Sequence, residues 1–146
     1  MRVYLDICCL KRPFDDLSQE RVRLESEAVL AILGAPSTAV ELVRSRAHRL
    51  ENSLNPVAWR AARVAMWLAE RPTSEIDDSA LASRVDALVA MGFKSFDALH
   101  LASAELSQSH TFVTVDDRLL AAARRQAPSL RCAVREPVSL AREVLS

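Results

Sequence analysis

Lysine is nearly absent from this chain. Of its 19 basic residues 17 are Arg and 2 are Lys, against 19 acidic residues and a formal net charge of zero. That balance neither requires nor excludes a nucleic-acid partner, because phosphate binding needs a local basic surface, not a basic total. Arginine suits two-pronged phosphate contact, but composition alone decides no function. Cysteine is scarce as well: Cys8 and Cys9 are adjacent, Cys132 is isolated, and no C-x-x-C spacing occurs. This argues against a disulfide framework and a zinc site, leaving the thiols as small buried hydrophobes. Aromatics make up only 5% of the residues. No apolar run approaches the roughly 20 residues that cross a bilayer, and Asp6 interrupts the N-terminal segment too early for the apolar core of a signal peptide. A cytoplasmic protein with no membrane partner is expected. Internal repeats and low-complexity tracts are also missing, so residues 1–146 are expected to form a single domain.

What the chain does contain is an alternation of β-rich and helical segments. Val3–Leu5 reads as a short strand, and Lys11–Asp16, with Pro13 and paired Asp, as a loop. Ser18 is placed to cap a helix carrying Val22, Val29, Ile32 and Leu33, with Gly34 as its stop. Thr38-x-x-Glu41 has the form of a capping box opening a helix from Ala39 to about Leu50. Asn55-Pro56 begins another that ends before Arg71-Pro72, and Asp77 or Asp78 caps one that stops at Gly92. Ser95 caps the next. Thr111–Val115 is the clearest strand, dense in β-branched residues, and Asp116 caps the helix after it. A last strand around Cys132–Val134 and a helix after Pro137 complete the pattern. Strands separated by helices imply an α/β fold, with a central parallel sheet flanked by helices and helix-rich between residues 38 and 107.

Open parallel sheets carry function beyond the carboxyl ends of their strands. Asp6 ends the first strand, Asp116 follows the Thr111–Val115 strand, and Glu41 and Asp97 fall in first helical turns. Singly, each acid has a structural use as cap or dipole partner. Converging on one sheet edge, four carboxylates repel one another unless a cation sits among them. Carboxylate oxygens select Mg²⁺ or Mn²⁺ over zinc, and such ions, singly or paired, support phosphodiester hydrolysis without a protein nucleophile. No Ser–His–Asp arrangement stands out around His48, His100 or His110.

The segments VYLDICCLKRPFDD, STAVEL, SFDALHLASAE and TFVTVDDRLL, in this order, resemble the motifs of PIN domains. The resemblance spans nearly the whole chain and is fullest at Asp97–Ala102 and Phe112–Asp116. It implies a Rossmann-like PIN domain, a Mg²⁺- or Mn²⁺-dependent endoribonuclease that is usually dimeric. Residue by residue, it assigns metal-binding acids to Asp6, Glu41, Asp97 and Asp116, with Asp117 as a spare for the fourth. It makes Thr114 a hydroxyl supporting the pocket. Where many members carry a small or hydroxyl residue after the first acid, this chain has Ile7-Cys8-Cys9, so hydroxyl support is missing or replaced by a thiol. The family includes toxins paired with an antitoxin protein, while the RPFDD continuation resembles a subgroup that stands alone.

Lys11 and Arg12 follow the first strand, and Arg44, Arg46 and Arg49 follow Glu41. Both groups are candidates for RNA contact beside the acids; the plainer expectation is a solvated surface. His100 stands three residues after Asp97, placed to hydrogen-bond to it or to pack in the core. Trp59, Met66 and Trp67 form a stripe expected in the core, with a dimer surface as its second use. Two other readings compete. One is a catalytically inactive PIN-like module that binds RNA or protein. The other is a different α/β phosphate enzyme or switch, which fits poorly: Asp6 is not followed by the D-x-D of haloacid-dehalogenase phosphatases, and Asp15-Asp16 and Lys94 are misplaced for a response-regulator receiver.

Overall fold

The computed structural model describes residues 1–70 and 73–146; the helix stop expected at Arg71-Pro72 lies outside them. Four parallel strands form one sheet in the order β2-β1-β3-β4, with β1 Arg2–Leu5, β2 Glu41–Val43, β3 Thr111–Val113 and β4 Ala133–Arg135. Around it stand α1 Ile7–Lys11, α2 Glu20–Leu33, α3 Arg46–Ser53, α4 Ala58–Ala69, α5 Asp78–Ala90, α6 Ser95–Leu106, α7 Asp117–Arg125 and α8 Pro137–Val144. The expected helix-rich, parallel α/β architecture is therefore present. Among the described residues no helix is long and apolar enough to cross a membrane.

Strand alternation divides the core in two. Val3 and Leu5 of β1, with Val113, face a layer built from Val29 and Ile32 of α2, Val64 and Leu68 of α4 and Leu140 of α8. Tyr4 and Phe112 face the other way, onto Leu88 of α5, Leu101 of α6 and Leu119 of α7. Asp6 continues the alternation of β1, two residues beyond Tyr4, and so turns toward the same face as Tyr4.

The segment 39–50 departs from expectation. It contains no continuous helix: β2 pairs Leu42 with Val3 and Val43 with Tyr4, and α3 begins only at Arg46. Val40, Leu42 and Val43 are buried while Glu41 is exposed, a pattern that the sheet edge satisfies and a helix starting at Thr38 does not. The capping box forms seven residues later, where Ser45 caps α3 and His48, in place of the usual Glu or Gln, reaches back to the Ser45 N–H at 3.1 Å. Smaller shifts occur elsewhere. Gln19, not Ser18, caps α2, and α4 starts at Ala58, with Asn55 Oδ1 accepting from the Val57 N–H. Trp67 packs against the first core layer, but Trp59 and Met66 are exposed.

Candidate metal centre

The carboxyl ends of β1 and β3 adjoin in register, Leu5 beside Val113. Asp6 follows Leu5, its backbone N–H bonded to Val113 O at 2.9 Å. One carboxylate oxygen accepts from the Ile7 N–H at 2.8 Å, making Asp6 the N-cap of α1. The other accepts from Thr114 Oγ1 at 2.9 Å and from the Cys8 thiol at 3.3 Å. Thr114 Oγ1 in turn accepts from the Asp116 N–H at 3.1 Å. Thr114, the residue to which the resemblance gives a supporting hydroxyl, and the Cys8 thiol both donate to Asp6. Burial pushes the Asp6 carboxyl above its usual range, opposed by His100, Thr114 and Cys8.

Asp97 enters from the first turn of α6, half-buried. Its pKa is raised to about 6, by burial first and then by the negative charges of Asp6, Asp116 and Glu51. Asp116 is the exposed N-cap of α7, accepting from the Arg118 and Leu119 N–H groups. Asp117, its neighbour, turns away and is held by Arg21 at 2.6 and 2.9 Å. Of the two neighbours, it is Asp116 whose charge acts on Asp97.

Glu41 is not in this group. It opens β2, in register with Arg2 at the amino ends of the strands, and binds Arg2 at 2.6 Å on the surface. Four strand residues separate that edge from Asp6, on the order of 13 Å. Its expected place is taken by Glu51, near the end of α3, which sequence reasoning missed. The available signal was position: Glu51 falls three residues after His48, on one face of the helix that the Ser45 box opens.

His100 accounts for the placement of Glu51. Its Nε2 lies 2.9 Å from Glu51 Oε2 and its Nδ1 lies 2.7 Å from Tyr4 Oη, which also bonds Ser45 Oγ at 2.7 Å. A carboxylate only accepts, so Nε2 carries the proton and donates it to Glu51. No hydrogen bond joins His100 to Asp97. Beneath it, Tyr4 stacks on His48 with centroids 4.3 Å apart. His48 Nδ1 accepts from Ser45, so its Nε2–H donates to Leu5 O at 2.6 Å. Burial drives the His48 pKa down to about 3, fixing it as a neutral ring.

Asp6, Glu51 and His100 offer ligand atoms within 4.8 Å of one another, a group that can hold a metal ion. Both nitrogens of His100 already have partners, so its chemistry here is to orient Glu51, leaving the carboxylate oxygens as the donor set. The basic residues named from sequence are divided between two places. Arg44 precedes α3 and is buried against Thr73 Oγ1 at 2.7 and 3.0 Å, which removes it as an RNA contact. Arg46 pairs with Asp78, and Arg49 is exposed on α3. Lys11 and Arg12 line a cavity that reaches Cys8.

No family model, no curated protein and no solved structure matches the chain.

Proposed function

We propose that this chain is a PIN-type endoribonuclease that holds Mg²⁺ or Mn²⁺ between Asp6, Glu51, Asp97 and Asp116. The observation that carries the reading is that ligand atoms of Asp6, Glu51 and His100 lie within 4.8 Å of one another, with the two carboxylates each fixed by a buried partner, Thr114 and His100. Asp97 and Asp116 add two further carboxylates at helix N-termini, where the helix dipole favours negative charge. A donor set of carboxylate oxygens fits a hard divalent cation. The motif resemblance to PIN domains supports RNA as the substrate.

When bound, the ion acts as a Lewis acid and offsets the charge that develops on the phosphodiester. The side chains hold the geometry. Thr114, Cys8 and the Ile7 N–H fix both oxygens of Asp6, His100 fixes Glu51, and Tyr4 with Ser45 fixes His100. Water would add to phosphorus as the P–O bond to the leaving oxygen breaks, with the proton released by the water passing to that oxygen, so no nucleophilic side chain is required.

Incubation of the purified protein with a labelled structured RNA, in Mn²⁺ or in EDTA, beside Asp97→Asn, tests this reading. Cleavage by the unmodified protein in Mn²⁺ alone supports it. If neither protein cuts and Mn²⁺ leaves the melting temperature unchanged, the chain is a PIN-like binding module instead.

A further inference from the structure

A cavity of about 330 Å³ opens beside the acidic group, lined by Lys11 at the end of α1, Arg12 after it, Asp15, Asn55–Val57, and Arg60 in the first turn of α4. Cys8 belongs to both places, lining the cavity while its Sγ lies 3.3 Å from Asp6 Oδ2. Three cations face one carboxylate across the cavity: Arg12 and Arg60 both bind Asp15, at 3.1 and 3.2 Å. Arg12 is further balanced by Glu25 at 3.5 Å, whereas among the described residues Arg60 pairs with Asp15 alone and Lys11 with no acid. The walls are short of acceptors. Arg12 Nε, Arg60 Nε and Asn55 Nδ2 are buried behind the cavity wall without a hydrogen-bond partner, and Val57 at the N-terminus of the 12-residue α4 makes no side-chain cap. Donors and positive charge in excess are what an anionic oxygen group satisfies.

Trp59, 55% exposed, precedes Arg60 of the cavity wall. Phe14 meets its ring edge-on at 5.7 Å, and the Arg60 guanidinium lies 5.4 Å from its centroid. A fixed, exposed indole next to a cationic pocket is the combination by which proteins hold single strands, a base on the ring and the backbone in the pocket. Membership of the core does not explain an indole placed this way, and an apolar contact alone does not explain the cations beside it.

We infer that the Lys11–Arg12–Arg60 cavity seats a backbone phosphate of a single-stranded RNA next to the acidic group, with a neighbouring base stacked on Trp59. The inference rests on the ribonuclease reading for the choice of RNA, but the binding it describes needs no metal. The strand is held by Lys11 and Arg60, while Asp15 keeps the two guanidinium groups apart and oriented.

Binding in EDTA separates this inference from catalysis. The probe is a short 3′-labelled single-stranded RNA followed by anisotropy over a salt series, with a duplex of the same sequence as comparison. Expected are preference for the single strand, quenching of Trp59 emission, and a roughly tenfold loss of affinity in Trp59→Ala. Arg60→Gln and Lys11→Gln should each weaken binding and lower the salt slope by about 1. Circular dichroism establishes that each variant is folded. Unaltered affinity and slope in Arg60→Gln and Lys11→Gln overturn the pocket, and unaltered affinity in Trp59→Ala overturns the stacking platform. Absence of RNA binding in EDTA by a protein that still cuts RNA in Mn²⁺ overturns this inference while leaving the proposed function standing. Equal binding of duplex and single strand overturns it too.

Discussion

His100 and Glu51, 49 residues apart in the chain, meet through a 2.9 Å hydrogen bond whose other end is anchored on Tyr4 of the central strand. The sheet therefore reaches a surface carboxylate through two buried side chains, and the position of Glu51 depends on a phenol hydroxyl in the core.

Tyr4→Phe tests that dependence. The ring keeps its stacking on His48 and Phe112, but His100 Nδ1 and Ser45 Oγ lose their common partner. Urea unfolding should show a loss of about 1–3 kcal/mol. RNA cleavage should fall by roughly 10- to 100-fold, the range for removing a group that orients a metal ligand. A variant with normal cleavage and normal stability shows that the chain of hydrogen bonds is incidental.

Asp97→Asn should do two opposite things. Cleavage is lost, because a ligand oxygen is replaced by an amide. Stability without metal rises, because the raised carboxyl pKa of about 6 marks an ionised form that the surrounding acids disfavour. The sign follows from linkage: above pH 6 the folded protein carries the full penalty, and below the unfolded value of 3.8 it carries none. The gain is therefore present at pH 7 and absent below pH 4. Screening at this half-exposed group limits it to about 1 kcal/mol. Melting curves at both pH values read it directly.

His48 governs the acid side in the other direction. Its folded pKa of about 3 lies below the ordinary 6.5, so the unfolded chain binds more protons between those values and stability falls as pH falls through that window. The slope contributed approaches about 1.4 kcal/mol per pH unit. In His48→Gln that contribution vanishes, and the pH dependence of urea unfolding between pH 6 and 4 should flatten even though the variant is less stable at pH 7.

The fold was legible in the sequence wherever an element carries its own local signal. Pro137 opens α8, Asp77 caps α5, Asp116 caps α7, and the β-branched run at Thr111 is a strand. The segment after Thr38 was not, because its capping-box pattern was satisfied by chance while β2, only three residues long, left little room for alternation to show. Displacement of that helix by seven residues exchanged Glu41 for Glu51. Asp6, Asp97 and Asp116 could be named because they sit beside strand ends or helix starts that the sequence marks, and Thr114 through the resemblance. Glu51 reaches the site from the last turn of α3, and its spacing from His48 carries meaning only once the start of that helix is placed at Ser45. Nor does any pattern in the sequence report that Asp117 is taken by Arg21, a contact across 96 residues.

The exchange of Glu41 for Glu51 gives the most direct test. RNA cleavage in Mn²⁺ is to be measured for Glu51→Gln and Glu41→Gln beside the unmodified protein. Glu41 makes only a surface pair with Arg2, worth about 1 kcal/mol or less, so Glu41→Gln should cut as the unmodified protein does, whereas Glu51→Gln should lose cleavage while remaining folded. Cleavage retained by Glu51→Gln, or lost in Glu41→Gln, contradicts a catalytic metal centre formed by Asp6, Glu51, Asp97 and Asp116.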